Sequence, residues 1–126
     1  MRITHRYIYD VPILDVEGRF VVYADPDGAA LRTRVATLVS EGRVNVLVHL
    51  AHVTDIDAHG LGELAWGVTT LRRLGGQMAL IAPSRWVRRL LALTKLDTIL
   101  SIYDSEFDAI TGALTESISP AASVAF

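Results

Sequence analysis

Residues 44–76 read VNVLVHLAHVTDIDAHGLGELAWGVTTLRRLGG, and their pattern changes halfway along. Val44 to Leu50 is mostly aliphatic, which is typical of a strand buried on both faces of a sheet. From Leu61 onward apolar residues return at helical spacing, and the pair Gly75-Gly76 predicts where the helix stops. The stretch therefore predicts a central strand, a short polar loop and a helix of about four turns.

The junction between this strand and this helix carries the polar residues of the stretch. Asp57 is predicted as the helix N-cap, because its carboxylate can accept hydrogen bonds from the first free backbone N–H groups. Ala58 and His59 then stand at the positive end of the helix dipole, where added negative charge, such as a phosphate, is favoured. We therefore expect the functional site at this junction.

Composition limits the classes of function. The chain has 126 residues, of which 51% are hydrophobic, and a mean hydropathy of +0.34, so we expect one folded domain with a single core. Its net charge of -2 gives no long-range reason to bind nucleic acid, and the lack of cysteine excludes thiolate chemistry and disulfides. No signal-peptide core and no apolar run of about 18 residues occur, which predicts a cytoplasmic protein without membrane insertion.

The chain before residue 44 predicts two strands and a helix. Ile3 to Tyr9 and Val11 to Val16 have strand patterns and are expected to pair antiparallel. Residues 17–18, Glu-Gly, predict a turn, and residues 20–23 either extend the sheet or pack beneath it. The pair Asp25-Pro26 predicts the start of the first helix, with an N-cap carboxylate followed by a proline suited to the first helical position.

The chain after residue 76 predicts two further strand and helix pairs. Residues 77–82 and 99–103 are apolar strands, while Ser84 and Ser105 are helix-start signals. Because right-handed crossovers make the later strands parallel, the fold class is α/β. We expect one domain over residues 1–118, with a mixed, mostly parallel sheet of about five strands and about four helices, and a tail at 119–126. The predicted buried stripe of the last helix is Phe107, Ile110, Leu114 and Ile118.

Three motifs occur in an order known from one protein family. They are VTDIDAHGL at 53–61, the glycine pair at 75–76 and LTKLDTILSIYDS at 93–105. Together they resemble the STAS domain of bacterial anti-sigma factor antagonists. The resemblance implies a regulator of transcription that needs no catalysis and no cofactor. Such a protein docks an anti-sigma factor, often a serine kinase with a GHKL-type ATP-binding fold, and frees the sigma factor that it holds.

The sequence departs from the family at the position of its phosphorylation switch. In the family the kinase phosphorylates the serine after the motif's aspartate and so disrupts docking, and the resemblance assigns that position to Ala58. Alanine has no hydroxyl to accept the added charge of about -1.5 to -2. His59 replaces the serine often found next, and His49 stands where the central strand usually carries an aspartate. We therefore expect an antagonist that stays competent for docking, or one controlled elsewhere, for instance at Thr54.

Partner contacts are predicted around the start of the central helix, at the family's docking position. Trp66, at the outer edge of the apolar stripe, is either a half-exposed partner anchor or part of the core. A homodimer is left open. The predicted contact residues are Asp55, Asp57, Ala58, His59, Gly60, Leu61 and Glu63.

The sequence is also compatible with two other kinds of function. The same fold could serve as a regulatory or scaffold subunit of a stressosome or of a lipid-transport ABC complex. A different class would be a small hydrolase or phosphatase that uses Asp57 and His59. His49, His52 and His59 lie near aspartates in the sequence, but they form no HExxH or comparable ligand pattern, so no metal site is predicted.

Overall fold

One five-stranded sheet organises the chain, and the computed structural model describes residues 1–25 and 27–114. The strands lie side by side in sequence order. β1 runs antiparallel to β2, whereas β2 to β5 are parallel. The mixed, mostly parallel sheet and its antiparallel first pair confirm the prediction. The strands are β1 (Arg2–Ile8), β2 (Val11–Phe20), β3 (Asn45–Ile56), β4 (Gln77–Ile81) and β5 (Ser101–Tyr103).

In the described part of the chain, four helices cover the two faces of the sheet. They are α1 (Ala30–Ser40), α2 (Ala58–Arg73), α3 (Arg85–Leu93) and α4 (106–114). The first three pack on one face in a core that holds the larger buried side chains. α4 covers the other face, where Ala109 and Ile110 meet Leu47 of β3. Short 3-10 turns lie at Val22–Ala24 and Leu96–Thr98. Within the described residues, no helix has the length and apolar character needed to cross a bilayer.

β3 is central and is buried on both faces along its first half. Val46 and Val48 point into the helical core of α1 to α3, whereas Leu47 points into the smaller core under α4. A strand covered on both faces has no solvent side, so its sequence shows a continuous apolar run. This confirms the interpretation of residues 44–50.

The prediction of a polar loop after residue 50 is wrong, because β3 continues to Ile56. The pairing with β2 skips one residue of β3 between His49 and His52 and another between Val53 and Asp55. Such bulges let a strand continue although its apolar alternation is interrupted. The prediction of a turn at residues 17–18 is also wrong, because both residues belong to β2 and pair with β3. Only Asp57 remains between strand and helix.

The first helix begins later than predicted. α1 starts at Ala30, with Ala29 as its N-cap residue, so the prediction that the helix begins at Asp25 is wrong. Asp25 is instead buried, with 3% of its surface exposed, and its Oδ1 accepts a hydrogen bond from the Ala30 N–H at 3.3 Å. Its carboxylate is used in a tertiary contact with α2, which a local capping pattern cannot show. Pro26 lies outside the described residues.

The last helix starts where predicted but faces differently. Ser105 Oγ accepts a hydrogen bond from the Asp108 N–H at 3.1 Å, as expected of an N-cap. Phe107, however, is 78% exposed, so its place in the buried stripe is wrong. The predicted burial of Ile110 is confirmed, and Ala109 and Ala113 are buried beside it. Ile118 and the predicted tail at 119–126 lie outside the described residues.

Candidate functional site

The start of α2 is fixed by one carboxylate. Asp57 has an extended backbone, and its Oδ1 accepts a hydrogen bond from the Gly60 N–H at 3.0 Å, which confirms the predicted N-cap. Its Oδ2 accepts a second hydrogen bond, also of 3.0 Å, from the Val22 N–H. Desolvation tends to raise the pKa of the Asp57 carboxyl, but backbone hydrogen bonds from Val22, Gly60 and His59 outweigh it and hold the pKa below its ordinary value. Asp57 therefore ties α2 to the end of β2 as an anionic cap.

Gly60 brings α2 close to the end of β2. It is buried, and a Cβ at this position would lie 2.3 Å from the Phe20 carbonyl oxygen and 2.7 Å from an Ile56 side-chain carbon. Only glycine allows this approach without a shift of the backbone. The prediction that Gly60 contacts a partner is therefore wrong, since its role is internal packing.

An exposed surface surrounds the first residue of α2. Ala58 is exposed, and next to it Val22 and Tyr23 are 56% and 68% exposed. The Arg19 guanidinium lies 4.9 Å from the centre of the Tyr23 ring and 3.1 Å from Oδ2 of Asp55. We call these five residues the helix-start surface. It combines two apolar side chains, an ion pair and the free end of a helix.

Three of these residues, Arg19, Val22 and Tyr23, were missed by sequence reasoning. Val22 and Tyr23 were interpreted as a sheet extension or as part of the core, yet they form an exposed 3-10 turn beside Asp57. Their position depends on the hydrogen bond from Val22 to Asp57, which joins residues 35 apart in the chain. Leu61, a predicted contact, is half-buried and packs against the core.

A cluster of charged groups lies beneath this surface, between α1 and α2. Its members are Asp25, Arg32, His59 and Glu63, which we call the charge cluster. Asp25 and Glu63 are each only 3% exposed. His59 Nε2 lies 2.9 Å from Asp25 Oδ2, and Arg32 Nε lies 2.6 Å from Glu63 Oε2. Arg32 also stacks over Trp66, 4.9 Å from the ring centre, so the half-buried Trp66 closes the cluster.

Glu63 is an internal residue of this cluster. The prediction that it contacts a partner is wrong, because its side chain is 3% exposed. Its Oε1 is buried and accepts no hydrogen bond from any residue that the structure describes. A buried acceptor without a partner costs about 1–3 kcal/mol. The spacing of His59 and Glu63, four residues apart on one helix, was the signal that could have placed them together.

The two histidines of the central strand, His49 and His52, lie away from the charge cluster. His49 and His52 stack with ring centres 6.3 Å apart, and His49 Nε2 is 4.0 Å from Glu106 on α4, which covers the face opposite α2. Arg6 also binds Glu106 and holds the pKa of its carboxyl below the ordinary value, chiefly through that hydrogen bond. The structure therefore does not bring His49 and His52 together with His59.

The fold and this site define a small mixed α/β domain with an exposed helix start. Residues 9–109 match the model of the STAS domain family, so the chain belongs to that family. It is an anti-sigma factor antagonist-like STAS domain, which confirms the resemblance seen in the motifs.

Three relatives illustrate the match. A Thermotoga neapolitana protein, provisionally named an anti-sigma factor antagonist, is 33% identical over 72 residues, which are 57% of this chain and 64% of the relative's length. An anti-sigma factor antagonist from Mycobacterium paratuberculosis superposes with a TM-score of 0.77 at 23% identity, over 89% of this chain and 92% of that one. SpoIIAA of Bacillus, in its phosphorylated form, gives 0.68 at 16% identity, over 87% and 97%. These two structures share the fold.

Proposed function

We propose that this STAS domain docks an anti-sigma factor through the helix-start surface and so regulates transcription. The observation that carries the proposal is the exposure of Ala58 at the first position of α2, beside the exposed side chains of Val22 and Tyr23. The names of the Thermotoga and Mycobacterium relatives support the kind of partner. Because sigma factors act in the cytoplasm, we propose that this protein works there. We further take residues 1–118 as the docking unit.

The chemistry of the surface suits a protein partner. Tyrosine is enriched among the residues that dominate binding energy in interfaces, because it buries a large area with few rotatable bonds. Arg19 restrains the Tyr23 ring by a cation–π contact and is itself restrained by Asp55. The surface is therefore partly ordered before binding, which lowers the entropy cost of association. Asp57 contributes by holding the 3-10 turn against α2.

We further propose that docking is not switched by phosphorylation at residue 58. SpoIIAA is known in unphosphorylated and phosphorylated forms. Ala58 carries a methyl group where the family resemblance assigns the phosphoacceptor, so no charge can be added there. The domain then stays competent for docking unless another residue, such as the exposed Thr54, takes the phosphate.

We propose a binding function without catalysis. The hydrolase alternative needs the Asp57 carboxylate and the His59 imidazole to act on one substrate. Both Asp57 oxygens accept backbone hydrogen bonds, and His59 Nε2 is engaged with Asp25. These contacts hold both groups within the fold and so support structural roles for them.

Affinity capture followed by a kinase assay tests the proposal. The wild-type domain should recover an anti-sigma factor, whereas recovery of an ABC ATPase or of stressosome subunits would support the alternatives. If the partner is a GHKL-type kinase, we expect Ala58→Ser to be phosphorylated at residue 58 in the presence of ATP, because the variant supplies the missing hydroxyl. The wild-type chain should stay unmodified in the same assay. Stoichiometric phosphate on the wild type, for instance at Thr54, would contradict the loss of the switch.

A further inference from the structure

We propose that Asp25, His59 and Glu63 bind one divalent transition-metal ion. Each offers a ligand atom, and the three atoms lie within 4.8 Å of one another. Among the described residues this is the one group of three or more such side chains that converges in this way. The inference goes beyond docking and does not depend on the identity of the partner.

The backbone places these three side chains for coordination. His59 and Glu63 are four residues apart on α2 and so share one face of the helix. Asp25 is held from the other side, since its Oδ1 accepts the Ala30 N–H and its Oδ2 lies 2.9 Å from His59 Nε2. Ligand atoms about 2.0 Å from a tetrahedral zinc ion are about 3.3 Å apart. Small side-chain rotations would therefore bring the three atoms into coordination distance.

The free oxygen of Glu63 is an independent observation that points to a cation. The Glu63 side chain is only 3% exposed, so more than nine-tenths of it is buried. Its Oε1 accepts no hydrogen bond from the described part of the chain. Arg32 holds only Oε2. An orienting contact on one carboxylate oxygen with the other left free is the usual arrangement of a metal-binding carboxylate. A metal ion would give Oε1 the partner that it lacks.

The ligand types select the class of metal. Imidazole nitrogen with two carboxylates suits Zn²⁺ and its neighbours in the first transition row, whereas Mg²⁺ and Ca²⁺ prefer oxygen ligands alone. The ion would bind the Nε2 lone pair of a neutral His59 ring that carries its one proton on Nδ1. A neutral ring protonated on Nε2 transfers that proton to Nδ1 through solvent, and a doubly protonated ring loses the Nε2 proton to solvent, so the dication lies beside the two carboxylates. The ion would link α2 to the connection before α1, across 34 residues of chain.

Calorimetric titration of the metal-free protein with ZnCl₂ tests the proposal. We expect saturable binding of one ion. Loss of an outer contact alone typically costs 10–100-fold in metal affinity, so His59→Gln and Glu63→Gln should each weaken binding by at least about tenfold. The matched control is His52→Gln, an exposed histidine of β3, which should bind like the wild type. Tighter binding of MgCl₂ than of ZnCl₂ would overturn the assignment.

NMR of the wild-type histidine rings keeps the test independent of how the variants fold. One equivalent of Zn²⁺ should shift the ring resonances of His59 and leave those of His49 and His52 unchanged. Shifts confined to His49, His52 or His5, or the lack of any saturable site, would show that the charge cluster is only a network of ion pairs. Either result would overturn the proposal.

Discussion

Asp57 is the residue on which the candidate site depends most. A single carboxylate caps α2 through Gly60 and also holds the exposed turn through Val22. Sequence reasoning could find the first role, because capping is decided by neighbouring residues. It could not find the second, since Val22 reaches Asp57 only once β2 and β3 have paired. The same limit explains Asp25, which was predicted as an N-cap and whose Oδ2 also contacts His59 on α2.

The lowered pKa of Asp57 predicts how stability depends on pH. Because the folded protein favours the carboxylate, the stabilisation is fully present above the ordinary value of 3.8 and is lost as the pH falls through the lowered folded value. Asn is also a good cap but has no charge to titrate. We therefore expect the free energy of unfolding of the wild type to exceed that of Asp57→Asn at neutral pH. This difference should be smaller below pH 3.8.

Urea unfolding of both proteins across this range checks the prediction. Asp97→Asn, which changes an exposed aspartate of the 3-10 turn at Leu96–Thr98, serves as the control for an Asp-to-Asn change outside the start of α2. An Asp57→Asn difference that does not vary with pH would mean that the charge of Asp57 adds nothing to stability.

At the scale of elements, the contact between α2 and the end of β2 is the tightest near the site. Gly60→Ala would place a methyl group 2.3 Å from the Phe20 carbonyl oxygen, so the helix must shift. Such overpacking costs about 1–3 kcal/mol. We expect Gly60→Ala to lower the free energy of unfolding by this amount, measured by urea unfolding.

Gly62 offers a matched control two residues further along α2. It is exposed, and a Cβ there would meet nothing within 4 Å. Alanine is favoured over glycine inside a helix by about 0.5–1 kcal/mol, so Gly62→Ala should stabilise the domain. If both variants changed stability in the same direction, close packing at Gly60 would not be the reason for glycine.

The contact between α1 and α2 depends on the ion pair of Arg32 with Glu63. The Glu63 side chain is 3% exposed, and among the described residues Arg32 is the only cation paired with it, at 2.6 Å. The substitution Arg32→Met removes this cation. The Arg32 side chain is 45% exposed, so water can replace part of the contact. We expect a loss of about 1–3 kcal/mol in free energy of unfolding, because a buried charge is left unpaired.

Thermal and urea unfolding measure this loss, with Arg73→Met as the control. Arg73 is an exposed arginine in the last turn of α2, and changes at exposed positions usually stay within about 0.5 kcal/mol. Equal effects of the two substitutions would show that the Arg32 pair contributes no more than a surface charge.

At the scale of the whole molecule, the element order followed from local patterns, and the strand directions followed from that order. The apolar run of β3, the cap at Ser84 and the glycine pair after α2 are signals that neighbouring residues carry. Ser84 Oγ accepts the Val87 N–H at 3.2 Å, as a local cap should. The predicted antiparallel first pair also formed, because Ile8 and Val11 are joined by a short connection.

Features set by distant contacts could not be obtained in this way. The full length of β3 depends on bulges against β2, and the charge cluster joins residues from α1, α2 and the chain before α1. The helix-start surface likewise combines the end of β2 with the start of α2. The sequence therefore located Asp55 and Ala58 of this surface, and Asp57 beside it, but not Arg19, Val22 or Tyr23.

The helix-start surface around Ala58 is proposed to dock the anti-sigma factor. Calorimetric titration of the domain with the captured partner tests this docking most directly. Ala58→Glu places a charge in the interface while favouring the helix dipole, so we expect an unchanged fold and at least about tenfold weaker binding, or about 1.4 kcal/mol. Ala92→Glu, at an exposed alanine near the end of α3, should bind like the wild type. Equal affinity of the wild type and Ala58→Glu would contradict the account.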